Sequence, residues 1–281
     1  MKRSTKIAIR ILNKIYGLMM STEFAFSLDF QHRFNRLEKD IYDLKQKIYE
    51  DEFSRKYEVI SDHLTSDNNT DQVHPRGVKN DNTRHLRLVN AVENHFKKKL
   101  SHLDLGCGGG GLVFDFLING HTSIGLEGSD FAKKGSLHHW QIIKNNLFCA
   151  DVTKEFSIKD AASSKRVTFD LITAFEVLEH LEESDLPGLI SNLKQNMHKG
   201  SIFMCSVATF EDKSEDVVWH RTVKSKDWWI EKFTENGFKD VSDEFSYLDY
   251  ARGSSNITAS DWNAHHDSDL GFHLALEITQ K

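Results

Sequence analysis

The glycine-rich stretch LDLGCGGGG, residues 103–111, constrains the fold of this chain more than any other feature. Five of the chain's 16 glycines lie between positions 106 and 111. They follow a short apolar run that is typical of a buried strand, and they precede the helix-like pattern GLVFDFLI. Gly106, Gly108 and Gly111 have the spacing G-x-G-x-x-G, which lets the backbone approach a ligand at a strand-to-helix turn. The stretch therefore predicts a ligand site at a turn of an α/β domain.

Strand-like and helix-like patterns alternate after this turn. The predicted strands are 100–105, 122–127, 146–150, 167–174 and 201–207. The predicted helices are 111–118, 131–140, 186–198 and 225–236. Strands that are apolar throughout and alternate with helices predict a parallel, doubly wound sheet. Two further strand-like runs, 238–248 and 270–281, are separated by a polar loop without a helical pattern. The fold class is therefore predicted as α/β and Rossmann-like, with a mostly parallel sheet and an antiparallel C-terminal strand.

The region before this domain differs in pattern. Residues 1–20 contain five basic and no acidic residues, and residues 36–60 keep a helical period among many charges. We expect residues 1–60 to form a helical N-terminal extension, residues 61–84 a flexible loop or flap, and residues 85–281 the main domain. The basic helix could pack on the domain or a partner, or it could lie on an anionic membrane surface.

Composition excludes several classes of protein. The net charge of −6 gives no basic footprint, so a nucleic-acid partner is not expected. The three cysteines lie inside apolar runs and do not suggest a disulfide framework, which favours a reducing, cytoplasmic location. The sequence contains no run of 18 uncharged apolar residues, so it predicts no membrane-spanning helix.

Two carboxylates near the glycines narrow the choice of ligand. Glu127 ends the second predicted strand, where it can accept both hydrogen bonds of a ribose diol. This alone fits an adenine nucleoside or a nicotinamide dinucleotide. Asp104, however, stands two residues before the first glycine, where it would repel a pyrophosphate. S-adenosylmethionine has an ammonium, a sulfonium and an adenosine but no phosphate, so Asp104 favours it.

Four motifs together resemble one enzyme family. The stretches LDLGCGGGG, GLEGSD, CADVT and FDLITAFEVLEHL stand in the order and spacing of class I S-adenosylmethionine-dependent methyltransferases. The resemblance spans about residues 100–237 and implies a methyltransferase with S-adenosylmethionine as cofactor. It assigns the methionine end to the glycine turn, the ribose to Glu127 and the adenine to Asp151. The cofactor-binding residues it implies are Asp104, Gly106, Cys107, Gly108, Glu127, Gly128, Asp151, Val152 and Phe175.

The catalytic candidates follow the fourth and fifth predicted strands. Glu176 and His180 come directly after the fourth strand, and His220 follows the fifth. An imidazole has a near-neutral pKa and can accept the proton of a hydroxyl acceptor, so His180 or His220 is the expected base. A divalent metal is the alternative, because the set Glu176, Glu179, His180 and His220 resembles that of metal-dependent small-RNA 2′-O-methyltransferases. The acidic charge of the chain argues against an RNA acceptor.

Loop residues suggest the class of acceptor. Trp219, Trp262 and His265 are expected on the substrate side, where aromatic rings with polar neighbours commonly stack on sugars. We therefore expect methylation of a hydroxyl on a small molecule or glycan. The alternatives are a quinone or lipid-like acceptor at a membrane and a non-catalytic nucleotide-binding module.

Overall fold

The computed structural model describes residues 57–66, 70–80, 82, 84–214, 216–245 and 270–279. In chain order the strands are β1 Tyr57–Ile60, β2 Ser101–Leu105, β3 Thr122–Glu127, β4 Leu147–Cys149, β5 Ser157–Asp160, β6 Phe169–Phe175, β7 Met197–Ala208, β8 Lys213–Ser214, β9 Val217–Val218, β10 Phe238–Asp240 and β11 Gly271–Ile278. The α-helices are α1 Thr70–Val73, α2 Gly77–Asn80, α3 Leu86–Phe96, α4 Gly111–Ile118, α5 Phe131–Lys134, α6 Leu186–Asn196 and α7 Lys226–Thr234.

The central sheet of the described residues has seven strands in the order β10-β11-β7-β6-β2-β3-β4. The pairs β7–β6, β6–β2, β2–β3 and β3–β4 are parallel. The strand β11 is antiparallel to both β7 and β10. The predicted fold class is therefore confirmed, including its antiparallel C-terminal strand. The chain runs outward in one direction from β2 to β4 and in the other from β6 to β7, which makes β2–β6 the point where the strand order reverses.

Helices cover both faces of this sheet because its strands are apolar on both sides. Along β7, Ile202 and Met204 pack in one buried cluster with α3 and α4. The alternating residues Phe203 and Cys205 pack in a second cluster with α6 and α7. The eight residues of α4 are all buried, which explains why its sequence is apolar on every side. The glycine turn is thereby held between a buried strand and a buried helix.

The single acid of α4 fixes where the chain enters the domain. Asp115 is completely buried, and its carboxylate accepts hydrogen bonds from Arg84 Nε at 2.7 Å and from the backbone N–H of His85 at 2.8 Å. A buried carboxylate needs such partners to offset its loss of hydration. The end of the 61–84 segment is thus tied to the helix that follows the glycine turn.

Three local predictions differ from the structure. Residues 57–60 form β1, antiparallel to β5, and are not the end of a helix over 36–60, because Tyr57 and Val59 alternate inward as a strand. The helix predicted over 131–140 is only α5, and a 3₁₀ turn at His138–Gln141 follows it after Gly135. The strand predicted over 238–248 is reduced to β10 and gives way to a 3₁₀ turn at Ser242–Glu244.

Other predictions lie outside the described residues. These are the helices expected over residues 1–56 and the loop around Trp262 and His265. Among the residues that are described, no helix is long and apolar enough to cross a bilayer. The three cysteines are all buried and free, as the sequence predicted.

Candidate active site

A cleft of about 460 Å³ opens at the carboxyl ends of the parallel strands. Its walls include the ends of β2, β3, β4 and β6, so it lies where the strand order reverses, the usual ligand site of open α/β sheets. The expected cofactor residues that line it are Asp104, Gly106, Cys107, Gly108, Glu127, Gly128, Asp151, Val152 and Phe175. The structure therefore brings all nine to one place.

The glycine turn begins with a backbone that requires glycine. Gly106 has φ of 70°, and a Cβ atom added there would lie 2.5 Å from Val177 Cγ2. The backbone N–H groups of Gly106 and Cys107 both donate to the carbonyl of Leu126, at 2.8 and 3.0 Å. The turn is thus pinned to the end of β3 and has no room for a side chain on the side of Val177. Burial raises the pKa of Cys107 well above its usual value, which suits an inert packing residue.

Asp104 is a buried acid at the end of β2. Its Oδ1 accepts a hydrogen bond of 2.6 Å from Thr173 Oγ1, on the neighbouring strand β6. His102 Nε2 lies 2.8 Å from the same hydroxyl, and it donates there because the hydroxyl proton is directed at Asp104. Burial raises the pKa of Asp104 to about 7, against the opposing effect of the Thr173 hydrogen bond. These hydrogen bonds therefore orient the carboxylate, and a cationic ligand would stabilise its ionised form.

Glu127 is the matching acid at the end of β3. Its Oε2 accepts from the N–H of Gly108 at 2.8 Å, and its Oε1 accepts from the N–H of Ser129 at 3.0 Å. Each oxygen keeps a lone pair for another donor. Burial raises the pKa of Glu127 to about 7, and the backbone hydrogen bonds oppose the rise. The carboxylate is held rigidly with room for the two hydroxyls of a ribose.

Asp151 follows β4 and completes the row of strand-end acids. Its Oδ1 accepts from both the N–H and the hydroxyl of Thr153, at 2.9 and 2.6 Å. Its own N–H donates to the carbonyl of His63 at 2.9 Å, which joins β4 to the segment after β1. The position beside Val152 fits the proposed contact with an adenine edge.

Glu176 follows β6 in a conformation that is uncommon for its residue type. Its φ of 54° lies in the left-handed region, which costs roughly 1 kcal/mol for a residue with a Cβ. Its Oε1 accepts a hydrogen bond of 2.9 Å from Ser206 Oγ, the hydroxyl that also accepts from the Glu176 N–H at 3.1 Å. Strain of this kind is often retained at functional sites, and here it directs the chain into the cleft.

Two histidines that line the cleft lie close together. The rings of His180 and His220 have centroids 5.0 Å apart and planes at 76°. His180 Nδ1 lies 2.8 Å from the carbonyl oxygen of Trp219, and His220 Nδ1 lies 2.7 Å from that of Phe210. A carbonyl oxygen can only accept, so each Nδ1 is assigned the proton and each Nε2 keeps its lone pair. Burial, and then the charge of His220, lower the pKa of His180 to about 4.

The chain also matches a known protein family. The sequence profile of a family described as "Methyltransferase domain" matches residues 79–247, more than half of the chain. The chain belongs to this methyltransferase family. It is an enzyme, and its cofactor is S-adenosylmethionine. The site fits this cofactor, because its buried acids can pair with an ammonium and a ribose diol, and no phosphate needs to be accommodated between them.

Other comparisons give only distant likenesses. A search of curated proteins gave no match to the methyltransferase. The glycopeptide N-methyltransferase MtfA, complexed with S-adenosylhomocysteine, is 13% identical over 71% of this chain and 92% of its own, with a TM-score of 0.46. CalS10, an amino pentose methyltransferase from Micromonospora echinaspora, is 12% identical over 69% and 89%, with a TM-score of 0.46. The 1,6-didemethyltoxoflavin-N1-methyltransferase of Burkholderia thailandensis is 14% identical over 75% and 85%, with a TM-score of 0.48. None of them assigns an acceptor to this chain.

The flap, defined as residues 61–84, contributes described residues to the lining of the cleft of the methyltransferase, among them Thr70, Asp71 and Arg76. Its described part contains α1 and α2, where the sequence predicted only a loop. Arg76 Nη1 and Nη2 donate to the two carboxylate oxygens of Asp212, at 3.2 and 2.5 Å. The Arg76 guanidinium also lies 4.0 Å from the centre of the Trp219 ring. It lowers the pKa of Asp212 below its usual value through this hydrogen bond.

The sequence predicted the cleft residues at the strand ends but not the residues that hold the cleft together around them. Glu176, His180, His220 and Trp219 all line the cleft, as expected for catalytic and substrate residues. Thr173, Arg76 and Asp212 were not singled out. The alternation of β6 could have indicated Thr173, because its register places it beside Asp104. No pattern in the sequence pairs Arg76 with Asp212, which lies 136 positions away.

Proposed function

We propose that this methyltransferase transfers the methyl group of S-adenosylmethionine to a hydroxyl oxygen of a small molecule or glycan, with an uncharged sugar as the favoured acceptor. One observation carries the proposal. One cleft is lined both by Asp104 and Glu127, which we call its cofactor end, and by the imidazoles of His180 and His220, which we call its acceptor end. A methyl donor and a hydroxyl-binding pair of imidazoles can therefore be held together in one cavity.

The chain contributes alignment and polarity to this reaction. When bound, S-adenosylmethionine would supply a methyl group on a cationic sulfur. As the oxygen–methyl bond formed, the sulfur–methyl bond would break with its electron pair left on sulfur, and the hydroxyl proton would pass to Nε2 of His180 or His220. Asp104 pairs with the ammonium of the donor, and Glu127 pairs with the two hydroxyls of its ribose. The Nε2 atoms of His180 and His220 can accept the hydrogen bond of the acceptor hydroxyl. We propose that this pair activates the hydroxyl.

The charge of the cleft supports an acceptor without phosphate. Eight carboxylates line it: Asp71, Asp104, Glu127, Asp151, Glu176, Glu182, Asp185 and Asp212. The two arginines that line it are already paired, Arg76 with Asp212 at 2.5 Å and Arg221 with Glu182 at 3.1 Å. A phosphorylated or nucleic-acid acceptor would therefore meet repulsion with no spare guanidinium to offset it.

Trp219 supports a ring-shaped acceptor in a limited way. Its side chain is buried and lines the cleft, but Arg76 lies over one face of the indole. An acceptor can therefore use only the parts of the ring that Arg76 leaves open. We propose Trp219 as a wall of the acceptor site; the proposed roles of Trp262 and His265 lie outside the described residues.

The experiment compares acceptors of matched shape and different charge. The protein is incubated with S-adenosylmethionine and panels of sugars, phenols and polyols, each beside its phosphorylated and its amino counterpart. We expect S-adenosylhomocysteine release, and a methyl ether detected by mass spectrometry and NMR, with uncharged hydroxyl compounds. Methylation confined to amines, to phosphorylated compounds or to RNA would overturn the proposal. Calorimetry with S-adenosylmethionine and NAD checks the cofactor separately.

A further inference from the structure

We propose that Glu179, His180 and His220 bind one divalent transition-metal ion at the acceptor end of the cleft. Each residue offers one ligand atom, and these three atoms all lie within 4.8 Å of one another. Such a spacing lets a single ion contact all three after small side-chain movements. The inference deepens the proposed function and rests on it for its catalytic meaning, whereas the binding of the ion can be tested alone.

The two imidazoles are oriented as metal ligands commonly are. A ligating histidine usually donates its other ring N–H to a carbonyl or carboxylate, which fixes the tautomer and the ring plane. His180 and His220 each do this, through the carbonyl oxygens of Trp219 and Phe210. The nitrogen that remains on each ring, Nε2, is the one with a lone pair. The two rings have centroids 5.0 Å apart, and one ligand nitrogen of each lies within 4.8 Å of the other and of the Glu179 carboxylate.

Glu179 adds a carboxylate that is completely buried beside them. Its Oε1 accepts from the N–H of Ala208 at 3.3 Å. A divalent ion shared by this carboxylate and the two imidazoles would offset the cost of burying an ionised carboxylate. Glu176 does not belong to the three-residue set, although the sequence had suggested it as a fourth ligand.

Backbone hydrogen bonds assemble the set from two distant segments. The N–H groups of Arg221 and Thr222 donate to the carbonyl of Glu179, at 2.6 and 3.0 Å. Together with the bond from His180 to Trp219, they lock the 3₁₀ turn Leu178–His180 against the segment that carries His220. The ligand atoms are thus brought together by the fold of the chain itself, which is the preorganisation that a metal site requires.

The ligand types select the class of ion. Imidazoles suit zinc, iron, nickel and copper, and a single carboxylate is compatible with each, whereas magnesium and calcium prefer sites built from oxygen. Three protein ligands leave at least one position open, which is the pattern of catalytic rather than structural zinc sites. In this arrangement the ion would replace the direct contact between the imidazoles and the hydroxyl: the imidazoles would hold the ion, and the ion would polarise the acceptor hydroxyl so that its proton leaves more readily.

The test uses the full-length protein, stripped with a chelator, without cofactor or acceptor. Mn²⁺ is titrated and followed by the electron paramagnetic resonance signal of the free ion, and Zn²⁺ is then added as a competitor. We expect one Mn²⁺ site per chain that Zn²⁺ displaces. The variants Glu179→Gln, His180→Gln and His220→Gln should each weaken Mn²⁺ binding at least about tenfold. His198→Gln is the matched control, because His198 lies at the opposite end of β7, and its affinity should equal that of the unmodified protein.

The outcomes separate this inference from the proposed function. Each variant is first checked by its affinity for S-adenosylmethionine, and only variants that keep it within about twofold are used. If neither Mn²⁺ nor Zn²⁺ binds, or if the three variants bind them as tightly as the control does, the metal proposal is overturned while hydroxyl methylation can stand. If the ion binds at these residues but no hydroxyl compound is methylated, the proposed function fails and the metal site stands.

Discussion

The two ends of the cleft are built in different ways. At the cofactor end, Asp104, Glu127 and Asp151 each stand at or just after the end of a parallel strand, and the sheet sets their separation. At the acceptor end, His180 and His220 stand on separate loops that backbone hydrogen bonds tie together. The first end is fixed by sheet register, and the second by contacts between segments far apart in sequence.

This difference teaches that the two ends can be perturbed separately. The polar side chains that orient Asp104 through hydrogen bonds lie on β2, β3 and β6, and Thr173 is the one that contacts it. Those that support His180 lie in the segment 219–222 and in the 3₁₀ turn that carries it. No described hydrogen bond of the two imidazoles reaches Asp104 or Glu127. Substitutions at one end should therefore change cofactor affinity, and substitutions at the other should change turnover.

The largest expected effect is on turnover in His220→Gln. Glutamine keeps a polar side chain but lacks the basic ring nitrogen of the imidazole. We expect kcat to fall by about a hundredfold or more, which is the usual range for loss of a proton-transfer or ligand group. Calorimetry should give a Kd for S-adenosylmethionine within about twofold of the unmodified value.

His198→Gln provides the matched control for that experiment, since it removes an imidazole at the opposite end of strand β7. Its kcat should be unchanged. Equal losses of kcat and of cofactor affinity in His220→Gln would show that the two ends are not separable.

The second expected effect is on cofactor affinity in Asp104→Asn. Asparagine has the shape of aspartate but cannot pair as an anion with an ammonium. A hydrogen bond to a charged group contributes about 1.5–3 kcal/mol, so affinity for S-adenosylmethionine should fall roughly tenfold to a hundredfold. Calorimetric titration at pH 8 measures it.

The matched control is Asp170→Asn, at the other end of the neighbouring strand β6, where the carboxylate binds Lys98 at 2.5 Å. This variant should unfold at lower temperature but bind the cofactor as before. If both substitutions weaken binding equally, Asp104 acts through the stability of the sheet and not through contact with the cofactor.

The contrast between the two ends also explains what the sequence could predict. Strand ends are readable because an apolar run followed by an acid or glycine marks both the strand and its exit, as at Glu127 and Gly106. The antiparallel β11 was predictable because no helical pattern precedes it. Such features depend on neighbours in the chain.

Features that depend on distant partners were not predictable. The strand β1 forms only because β5, about a hundred residues later, offers an antiparallel edge. The left-handed backbone of Glu176 is imposed by its hydrogen bonds to Ser206. The helical pattern before β1 continues through residues that the sheet instead makes extended, since tertiary pairing outweighs local propensity.

The third effect is a pH dependence that belongs to the cofactor end. The pKa of Asp104 is raised to about 7, so its ionised fraction falls about tenfold between pH 8 and pH 6. Because we propose that the cofactor's ammonium pairs with the ionised form, affinity for S-adenosylmethionine should fall by about tenfold over this range from Asp104 alone. The raised pKa has the opposite effect on the ligand-free protein, whose stability from this group falls as pH rises from about 4 to 7.

Calorimetry across pH 6–8 measures the change in affinity, and thermal unfolding of the ligand-free protein across pH 4–7 measures the change in stability. Asp104→Asn should remove its share of each dependence and leave that of Glu127, whose pKa is also raised to about 7. An affinity that does not change with pH in the unmodified protein would contradict a buried carboxylate that must ionise on binding.

The smallest expected effect is at the flap, in Arg76→Gln. The substitution removes the ion pair with Asp212 and the guanidinium over Trp219. Because the Arg76 side chain is 49% exposed, the ion pair is screened by water and contributes at most about 1 kcal/mol. We expect KM for the acceptor to change by no more than about fivefold, with the Kd for S-adenosylmethionine unchanged, since the guanidinium contacts Asp212 and Trp219. Lys213→Gln, which breaks a fully exposed ion pair with Glu211 outside the cleft, should leave both constants unchanged. A loss of cofactor affinity in Arg76→Gln would instead show that the flap couples the two ends, which the contacts of Arg76 do not require.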